Sequence, residues 1–260
     1  VQATVLPGGT DWQSAITETA PTTNVSVSAS NGNENGQYFM SVGYFNRDGV
    51  LKYTGFERAT TRLNSEFRVI GDKLVVGEHM NIALSNGNAG NAEAYENAFR
   101  SSPLIPTYDD DGNLAGTYAA AAGLGNARSP LAQLYRGRDD FNKSLRVFGD
   151  IYLNADKHRI KTGYINGKIR NEYDDFLGSG LSVKTEDNIE SFFFRYMHQV
   201  KGDWYLGGQV IISDYVIGAD GFFDFVLGQI GLSGFQSNGL GLVAEFDSRD
   251  EPRDPSSGNQ

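Results

Sequence analysis

The residues most suited to chemistry are three consecutive aspartates followed by a turn-forming pair, Asp109-Asp110-Asp111-Gly112-Asn113. Carboxylate and amide oxygens are the hard ligands that Ca²⁺ prefers, and glycine permits the sharp turn of a calcium loop. The run lacks the spacing of an EF-hand and its distal glutamate. Two interpretations stay open: a calcium site formed by Asp109, Asp110 and Asp111, or a solvated acidic turn.

The other reactive side chains form no catalytic pattern. The chain has no cysteine, which excludes thiolate metal sites and cysteine nucleophiles. Neighbouring aspartates such as Asp139 and Asp140 point to opposite faces of a strand and cannot flank one glycosidic bond. The three histidines lie on separate predicted strands without metal-ligand spacing, so we interpret them as ordinary strand positions: His79, His158 and His198. We therefore expect no enzyme, and no cofactor other than the calcium ion.

Composition excludes two classes of protein. The net charge of −10, from 22 Lys+Arg against 32 Asp+Glu, argues against a nucleic-acid partner, which requires clustered basic side chains. The longest mainly apolar stretch, residues 221–232, is shorter than the roughly 20 residues of a membrane-spanning helix. The lack of a long apolar stretch does not exclude a transmembrane β-barrel, because only alternate residues of its strands face lipid.

Apolar residues recur with a period of two along most of the chain. In residues 60–69, threonine, leucine, phenylalanine and valine alternate with arginine, asparagine and glutamate, which predicts a strand with one apolar and one polar face. The same alternation predicts about nine strands in all. Their central segments are residues 24–30, 37–45, 60–69, 74–84, 145–153, 158–169, 191–196, 204–213 and 240–247.

The connections between predicted strands alternate in length. Residues 31–36, 70–72, 155–157 and 201–203 are short, whereas 47–57, 86–139, 170–190 and 217–237 are long. Short turns at one end and long loops at the other are typical of an outer-membrane barrel. A soluble β-sandwich binding module or hydrolase stays an alternative, because alternation alone does not distinguish lipid from a protein core.

Aromatic residues lie towards the ends of several predicted strands. A barrel places aromatic girdles at the membrane interfaces, and a carbohydrate-stacking surface or core packing are the competing interpretations. The candidates are Tyr38, Phe39, Tyr44, Phe45, Tyr152, Tyr196, Trp204 and Tyr205.

The predicted strand number is odd. Bacterial single-chain barrels have even numbers of strands, and an open sheet in lipid would leave two unpaired edges. We therefore expect an incomplete, all-β, antiparallel barrel segment that belongs to something larger or pairs with a partner. Residues 1–21 would then be the tail of an outer loop.

Several motifs in the first 154 residues occur in a consistent order. They are TDWQSAITETAP (10–21), NVSVSASNGNENGQYFMSVGYFNRDGVLKYTGFERATTRLN (24–64), FRSSPLIPTYDDDGNLAGTY (99–118) and SPLAQLYRGRDDFNKSLRVFGDIYLN (129–154). This order resembles the start of the barrel in SusC-like TonB-dependent transporters, in which such a run follows the plug domain. Members of that family carry a similar acidic turn, which favours the turn interpretation of Asp109–Asp111.

The remaining residues, 155–260, are similar instead to the surface-antigen barrels related to BamA. The segments that carry this resemblance are residues 191–215 and 239–259, with a motif at Asp247-Ser248-Arg249-Asp250 followed by Pro255 and Gly258. The sequence thus divides into an outer-loop lead-in (1–21), SusC-like strands with the outer loop 86–139 (22–154) and surface-antigen-like strands (155–260). Such a division suggests a fragment or a chimera.

The SusC resemblance implies import of glycans or peptides across the bacterial outer membrane. Its implied partners are outer-membrane lipid, TonB and a SusD-like lipoprotein. The surface-antigen resemblance implies a structural role or a role in membrane-protein assembly. If the SusC resemblance holds, the alternate polar residues of three predicted strands are candidates for lining the lumen. They are Arg62, Asn64, Glu66, Arg68, His79, Asn81, Arg146 and Asp150.

Overall fold

The computed structural model describes residues 8–71, 73–109, 111–114, 128–173, 181–231 and 233–248. Within these ranges it contains nine strands: Thr22–Asn33 (β1), Gly36–Asp48 (β2), Gly55–Arg68 (β3), Leu74–Asn88 (β4), Phe141–Ala155 (β5), His158–Tyr173 (β6), Val183–Lys201 (β7), Trp204–Ala219 (β8) and Gly234–Phe246 (β9). It also contains four short helices: Trp12–Ile16 (α1), Ala92–Arg100 (α2), Pro130–Arg136 (α3) and Phe222–Gln229 (α4). None of these four helices is long and apolar enough to cross a membrane.

The strands form one antiparallel sheet in which every strand pairs with its neighbours in the sequence. Each of the nine predicted strand segments overlaps an observed strand, so the prediction of an all-β antiparallel fold is confirmed. β1 and β9 lie at the two edges. Across the described residues the sheet is therefore open, with the backbone of both edge strands available for further pairing.

The connections separate the sheet into two ends. At the turn end, residues 34–35, 69–73, 156–157 and 202–203 join consecutive strands, and at the loop end residues 49–54, 89–140, 174–182 and 220–233 do so. Positive φ angles close two of the tight turns, at Asp156 (48°) and Gly202 (54°), as two-residue hairpins require. In the first turn, the Asn33 side chain accepts hydrogen bonds from the backbone N–H groups of Asn35 and Gly36 at 2.9 and 3.1 Å.

A small helical cluster packs at the loop end. The lead-in segment supplies α1, and the long β4–β5 connection supplies α2 and α3. The indole nitrogen of Trp12 donates a hydrogen bond to the Ser102 carbonyl at 3.1 Å, and the Thr10 hydroxyl donates to the Ile105 carbonyl at 2.7 Å. The buried residues of the cluster are Trp12, Ile16, Ala94, Ala98, Ile105, Leu131 and Leu134. The cluster thus ties the lead-in segment to the longest described connection.

Candidate functional site

The two faces of the sheet differ in polarity. Directly opposed residues of an antiparallel pair project to the same face, so the register assigns every strand residue to one face or the other. One face, named here the belt face, carries apolar side chains that are exposed, with Leu240 at 87% and Leu242 at 97%. Other exposed apolar residues on the belt face are Val25, Val27, Tyr38, Met40, Val42, Tyr44, Phe67, Leu84, Ile151, Phe192, Phe194, Tyr196, Trp204, Leu206, Ile212 and Phe246. An exposed surface with this many apolar side chains marks an interaction with lipid or with protein.

Polar side chains bound the apolar part of the belt face on the loop side. Glu57 accepts hydrogen bonds from Asn86 at 3.1 Å and from the Tyr44 hydroxyl at 3.3 Å. Further along, Glu186 forms ion pairs with Lys168 and Arg170, and Glu172 with Lys184. Between the aromatic positions 38 and 44 of β2 the strand rises about 20 Å. Along a strand tilted by about 40°, this length spans about 15 Å of the roughly 25 Å apolar band of a transmembrane barrel.

The opposite face, named here the polar face, contains all eight residues that the sequence proposed for a lumen. Residues opposed across β3 and β4 include Arg62 with Asn81 and Asn64 with His79. Across β4 and β5, His79 is opposed to Asp150. The remaining members, Glu66, Arg68 and Arg146, share the same parity of their strands.

A polar network links four strands, β3 to β6, near the turn end. The buried carboxylate of Asp150, whose side chain is 2% exposed, lies 3.0 Å from His79 Nδ1 and 3.4 Å from Lys161 Nζ. The Tyr152 hydroxyl donates a hydrogen bond to Glu66, and the Tyr152 ring stacks on the His79 ring with centroids 5.5 Å apart. The sequence did not single out Lys161 or assign Tyr152 to this face, because their roles depend on which strands are neighbours.

A glycine makes that network possible. Gly77 lies between Glu66 and Tyr152 in the register, and a Cβ atom at this position would overlap the Tyr152 ring. The tyrosine therefore crosses β4 through the space that the missing side chain leaves, and reaches a residue two strands away.

A second network shows that the polar face is concave. Arg159 on β6 forms ion pairs with Glu245 on β9 and, at 3.0 Å, with Asp247, whose side chain is 2% exposed. The guanidinium also lies 3.7 Å from the centroid of the Tyr205 ring. Strands three positions apart in a flat sheet are separated by about 14 Å, which exceeds the reach of these side chains. The polar face must therefore curve inwards.

Two open cavities on the concave face contain candidate lumen residues. One, of about 730 Å³, is lined at the turn end by residues that include Gln37, Asn64, Glu66, Arg68 and His79. The other, of about 450 Å³, is lined by Asn81, Arg146, Phe148, Ile165, Asp187 and Tyr215. Six of the eight candidates therefore line cavities on a charged, concave surface.

The prediction that eight aromatic residues form an interfacial girdle is wrong for four of them. Tyr38, Tyr44, Tyr196 and Trp204 lie on the belt face, and the rings of Trp204 and Phe246 pack with centroids 5.2 Å apart. The other four candidates, Phe39, Phe45, Tyr152 and Tyr205, project to the polar face. The reason is the period of two, since adjacent aromatics such as residues 38 and 39 cannot share a face.

The acidic run at the loop end forms a turn. The Asp109 carboxylate accepts hydrogen bonds from the backbone N–H groups of Asp111 at 3.0 Å and Asn113 at 2.8 Å, while Asp110 lies outside the described residues. Within the described part of the chain, no group of three or more histidine or acidic side chains is arranged to hold a metal ion. One carboxylate oxygen of Asp109 is thus already used by the turn itself.

The three histidines lie on separate strands, as the sequence predicts, and two of them are direct cross-strand neighbours. His158 is directly opposed to His198 across β6 and β7, on the belt face at the turn end, and their ring centroids lie 4.8 Å apart. The separation of 40 positions between the two residues hides this pairing, which only the register reveals. His79 lies on the polar face.

The pKa of Asp11, which caps α1, is lowered. The Ser14 hydroxyl and then the Ser14 backbone N–H donate hydrogen bonds to its carboxylate, at 2.7 and 3.1 Å, and stabilise the charged form. The Gln13 N–H contributes further. The lead-in helix is therefore held by a charged cap at neutral pH.

No protein-family model matches the sequence. Part of the chain is similar to curated proteins: it is 36% identical over 109 residues to TonB-dependent receptor P26 of Formosa agariphila, a match that covers 41% of this chain and 10% of that protein. It is also 31% identical over 105 residues to TonB-dependent receptor SusC of Bacteroides thetaiotaomicron, covering 39% and 10%. The chain thus spans about a tenth of the length of these relatives. Their names describe receptors, not enzymes.

The fold is similar to that of solved transporter structures. The RagAB peptide importer in its open-open state aligns with a TM-score of 0.56 at 20% identity, over 91% of this chain and 30% of the other. The closed-closed state of the same importer gives 0.51 at 18% identity over the same shares. The nine-stranded sheet is therefore of the kind found in the barrel of such an importer.

The surface-antigen resemblance of residues 155–260 is not supported. β6 to β9 continue the sheet that β1 to β5 begin, and the likeness to the RagAB structures extends over 91% of the chain. Of the motif that suggested the resemblance, Asp247 pairs with Arg159 on the concave face. Arg249, Asp250, Pro255 and Gly258 lie outside the described residues.

Proposed function

We propose that this chain forms part of the barrel of a SusC-type TonB-dependent transporter in a bacterial outer membrane. The observation that carries the proposal is the two-faced sheet, with a bounded apolar belt on its convex side and charged cavities on its concave side. A water-soluble sandwich would bury such a belt against a second sheet. The partial likeness to TonB-dependent receptors supports the same assignment.

The concave face would line the lumen of the barrel. Arg62, Asn64, Glu66, Arg68, His79, Asn81, Arg146 and Asp150 would then face the transported molecule or a plug domain. The ion pair of Arg159 with Asp247 would hold the curvature of the wall at the turn end. Charged and amide side chains suit polar cargo, so glycans or peptides are the proposed substrates. RagAB is itself named a peptide importer.

The two ends of the sheet would meet different partners. The turn end would face the periplasm, where TonB supplies energy, and the loop end would face outwards. The helical cluster of α1, α2 and α3 would then lie on the outer surface, in position to contact a SusD-like lipoprotein. Outer-membrane lipid would cover the belt face.

The membrane assignment is tested by solubility and gel mobility of the full chain. We expect a soluble, folded species in detergent, with a gel mobility that changes on boiling, and aggregation in plain buffer. A monomer that is soluble and folded without detergent would overturn the assignment, because a belt of exposed leucine, valine and aromatic side chains requires an apolar solvent.

Transport is tested in cells that produce the complete protein. We expect uptake of either labelled oligosaccharides or labelled oligopeptides to fall to background when the gene is deleted, and to fall equally when TonB is depleted. Diffusion of a small uncharged solute through general porins serves as the control and should not change. Uptake that persists without TonB would contradict energised import.

A further inference from the structure

His158 and His198 form a pair whose geometry suits a metal ion. The two residues are direct cross-strand partners at the turn end of β6 and β7. Their ring centroids are 4.8 Å apart and the ring planes are inclined by 46°. His158 is exposed and His198 is half-buried, so solvent reaches the pair.

The ring separation matches that of two imidazoles on one ion. A zinc–nitrogen bond of about 2.1 Å puts each ring centre about 3.2 Å from the metal. For bond angles between a right angle and the tetrahedral value, the two ring centres would then lie about 4.5 to 5.2 Å apart. The observed 4.8 Å falls within this interval.

The hydrogen bonds of the two rings leave nitrogens free to act as ligands. His158 Nδ1 lies 2.7 Å from the Tyr196 hydroxyl, an arrangement that orients the ring and leaves Nε2 for a metal, as outer-shell partners of ligating histidines commonly do. His198 Nδ1 is buried and has no hydrogen-bond partner among the described residues. A buried ring nitrogen without a partner is costly, and coordination would satisfy it.

We propose that His158 and His198 bind a divalent transition-metal ion, with Zn²⁺ the physiological candidate and Ni²⁺ or Cu²⁺ as substitutes. Neutral imidazole suits these ions, whereas Ca²⁺ and Mg²⁺ prefer oxygen ligands. Water completes the coordination, since the described part of the chain offers no third histidine or acidic ligand in such a cluster. The bound ion cross-links β6 and β7 at the edge of the apolar belt, a role that does not depend on transport.

The experiment is a zinc titration of the full chain refolded in detergent, in a buffer without chelators, read out by competition with a chromophoric zinc indicator. The chain has three histidines and no cysteine, so each contribution can be assigned by substitution. We expect one saturable site whose affinity falls at least tenfold in His158→Gln and in His198→Gln. The matched control, His79→Gln, removes the third histidine on the opposite face and leaves zinc affinity unchanged.

Two further readouts distinguish coordination from simple ring packing. Tyr196→Phe removes the hydroxyl that orients His158 and should weaken zinc binding by about tenfold. Zinc affinity should also be lower in acid than at neutral pH, because protons compete with the metal for imidazole nitrogen. Absence of saturable zinc binding, or equal affinity in all four variants, would overturn the proposal.

A measurement on the unaltered chain covers the case in which a variant does not fold. Zinc should protect residues 158 and 198, but not His79, from modification by diethylpyrocarbonate, as read by mass spectrometry of the digested chain. Equal modification of all three histidines with and without zinc would contradict the site.

Discussion

Introducing a charge on each face of one strand tests whether the belt face contacts lipid. Val27 lies near the centre of the apolar part of β1, is 72% exposed, and is opposed to Val42 across the β1–β2 pair. Its neighbour Ser28 projects to the polar face, opposed to Ser41. Val27→Arg and Ser28→Arg therefore place the same charge at adjacent positions of one strand, on opposite faces.

The expected loss of stability in Val27→Arg depends strongly on whether the belt face contacts water or lipid. Because Val27 makes few contacts with the protein, an arginine fits without a clash, and in water the substitution would change the free energy of unfolding by no more than about 0.5 kcal/mol. On the lipid face near the bilayer centre, arginine costs about 2 to 4 kcal/mol. That cost corresponds to a decrease of about 30- to 700-fold in the equilibrium constant for folding. Ser28→Arg should change the free energy of unfolding by no more than about 0.5 kcal/mol, whether the belt face contacts water or lipid.

The assay is urea unfolding of the full chain and both variants in lipid vesicles, followed by tryptophan fluorescence. The fraction with altered gel mobility after boiling gives an independent measure of folding. Equal stabilities of the two variants would refute the assignment of the belt face to lipid. A loss of stability in Ser28→Arg alone would show that the two faces are assigned in reverse.

Four further perturbations follow from the contacts of the polar residues. Asp150→Asn removes the charge that pairs with a histidine and a lysine, and should lower the free energy of unfolding by about 1 to 2 kcal/mol, measured by urea unfolding. Arg159→Met leaves the buried Asp247 carboxylate without this cation and should cost about 3 kcal/mol, in the same assay. Stability equal to that of the unaltered chain would show that these pairs do not hold the curved face. Because the folded pKa of Asp11 is lowered, its contribution to stability is fully present above the ordinary aspartate pKa and is lost as the pH falls through the lowered value. NMR titration of its carboxylate should therefore show a midpoint below that of an unfolded peptide, and an unshifted midpoint would contradict the cap. Because Asp109 already binds backbone N–H groups, added Ca²⁺ should not change thermal unfolding, and a calcium-dependent rise in the unfolding temperature would restore the calcium site.

The strands of this protein could be predicted because their signal is local. Alternation of apolar and polar side chains is visible within any six to ten residues, as in residues 60–69, and it predicts both the strand and the face of each residue. The lengths of the connections then distinguished the turn end of the sheet from the loop end. The long loop 86–139 was predicted as a connection only, because its helices α2 and α3 are short and bury their apolar residues against the lead-in segment.

The same local rule selected the candidate lumen residues, but it did not predict which residues of different strands are in contact. The face on which Arg62, Asn64 and His79 lie follows from the alternation of side chains along each strand. Lys161 and Arg159 were missed, because parity does not tell which strands approach across a curved sheet. The girdle prediction failed at Phe39 and Tyr205 since it considered position along the strand and ignored parity.

The sequence by itself determined the strands, the two faces and the two ends, since each depends on residues within one strand or one turn. The tertiary structure decided which distant residues meet. Register brings His158 to His198, and curvature brings Arg159 to Asp247 across three strand spacings. Both depend on the pairing of whole strands and on the bending of the sheet, which arise from all nine strands together and leave no mark on any single segment.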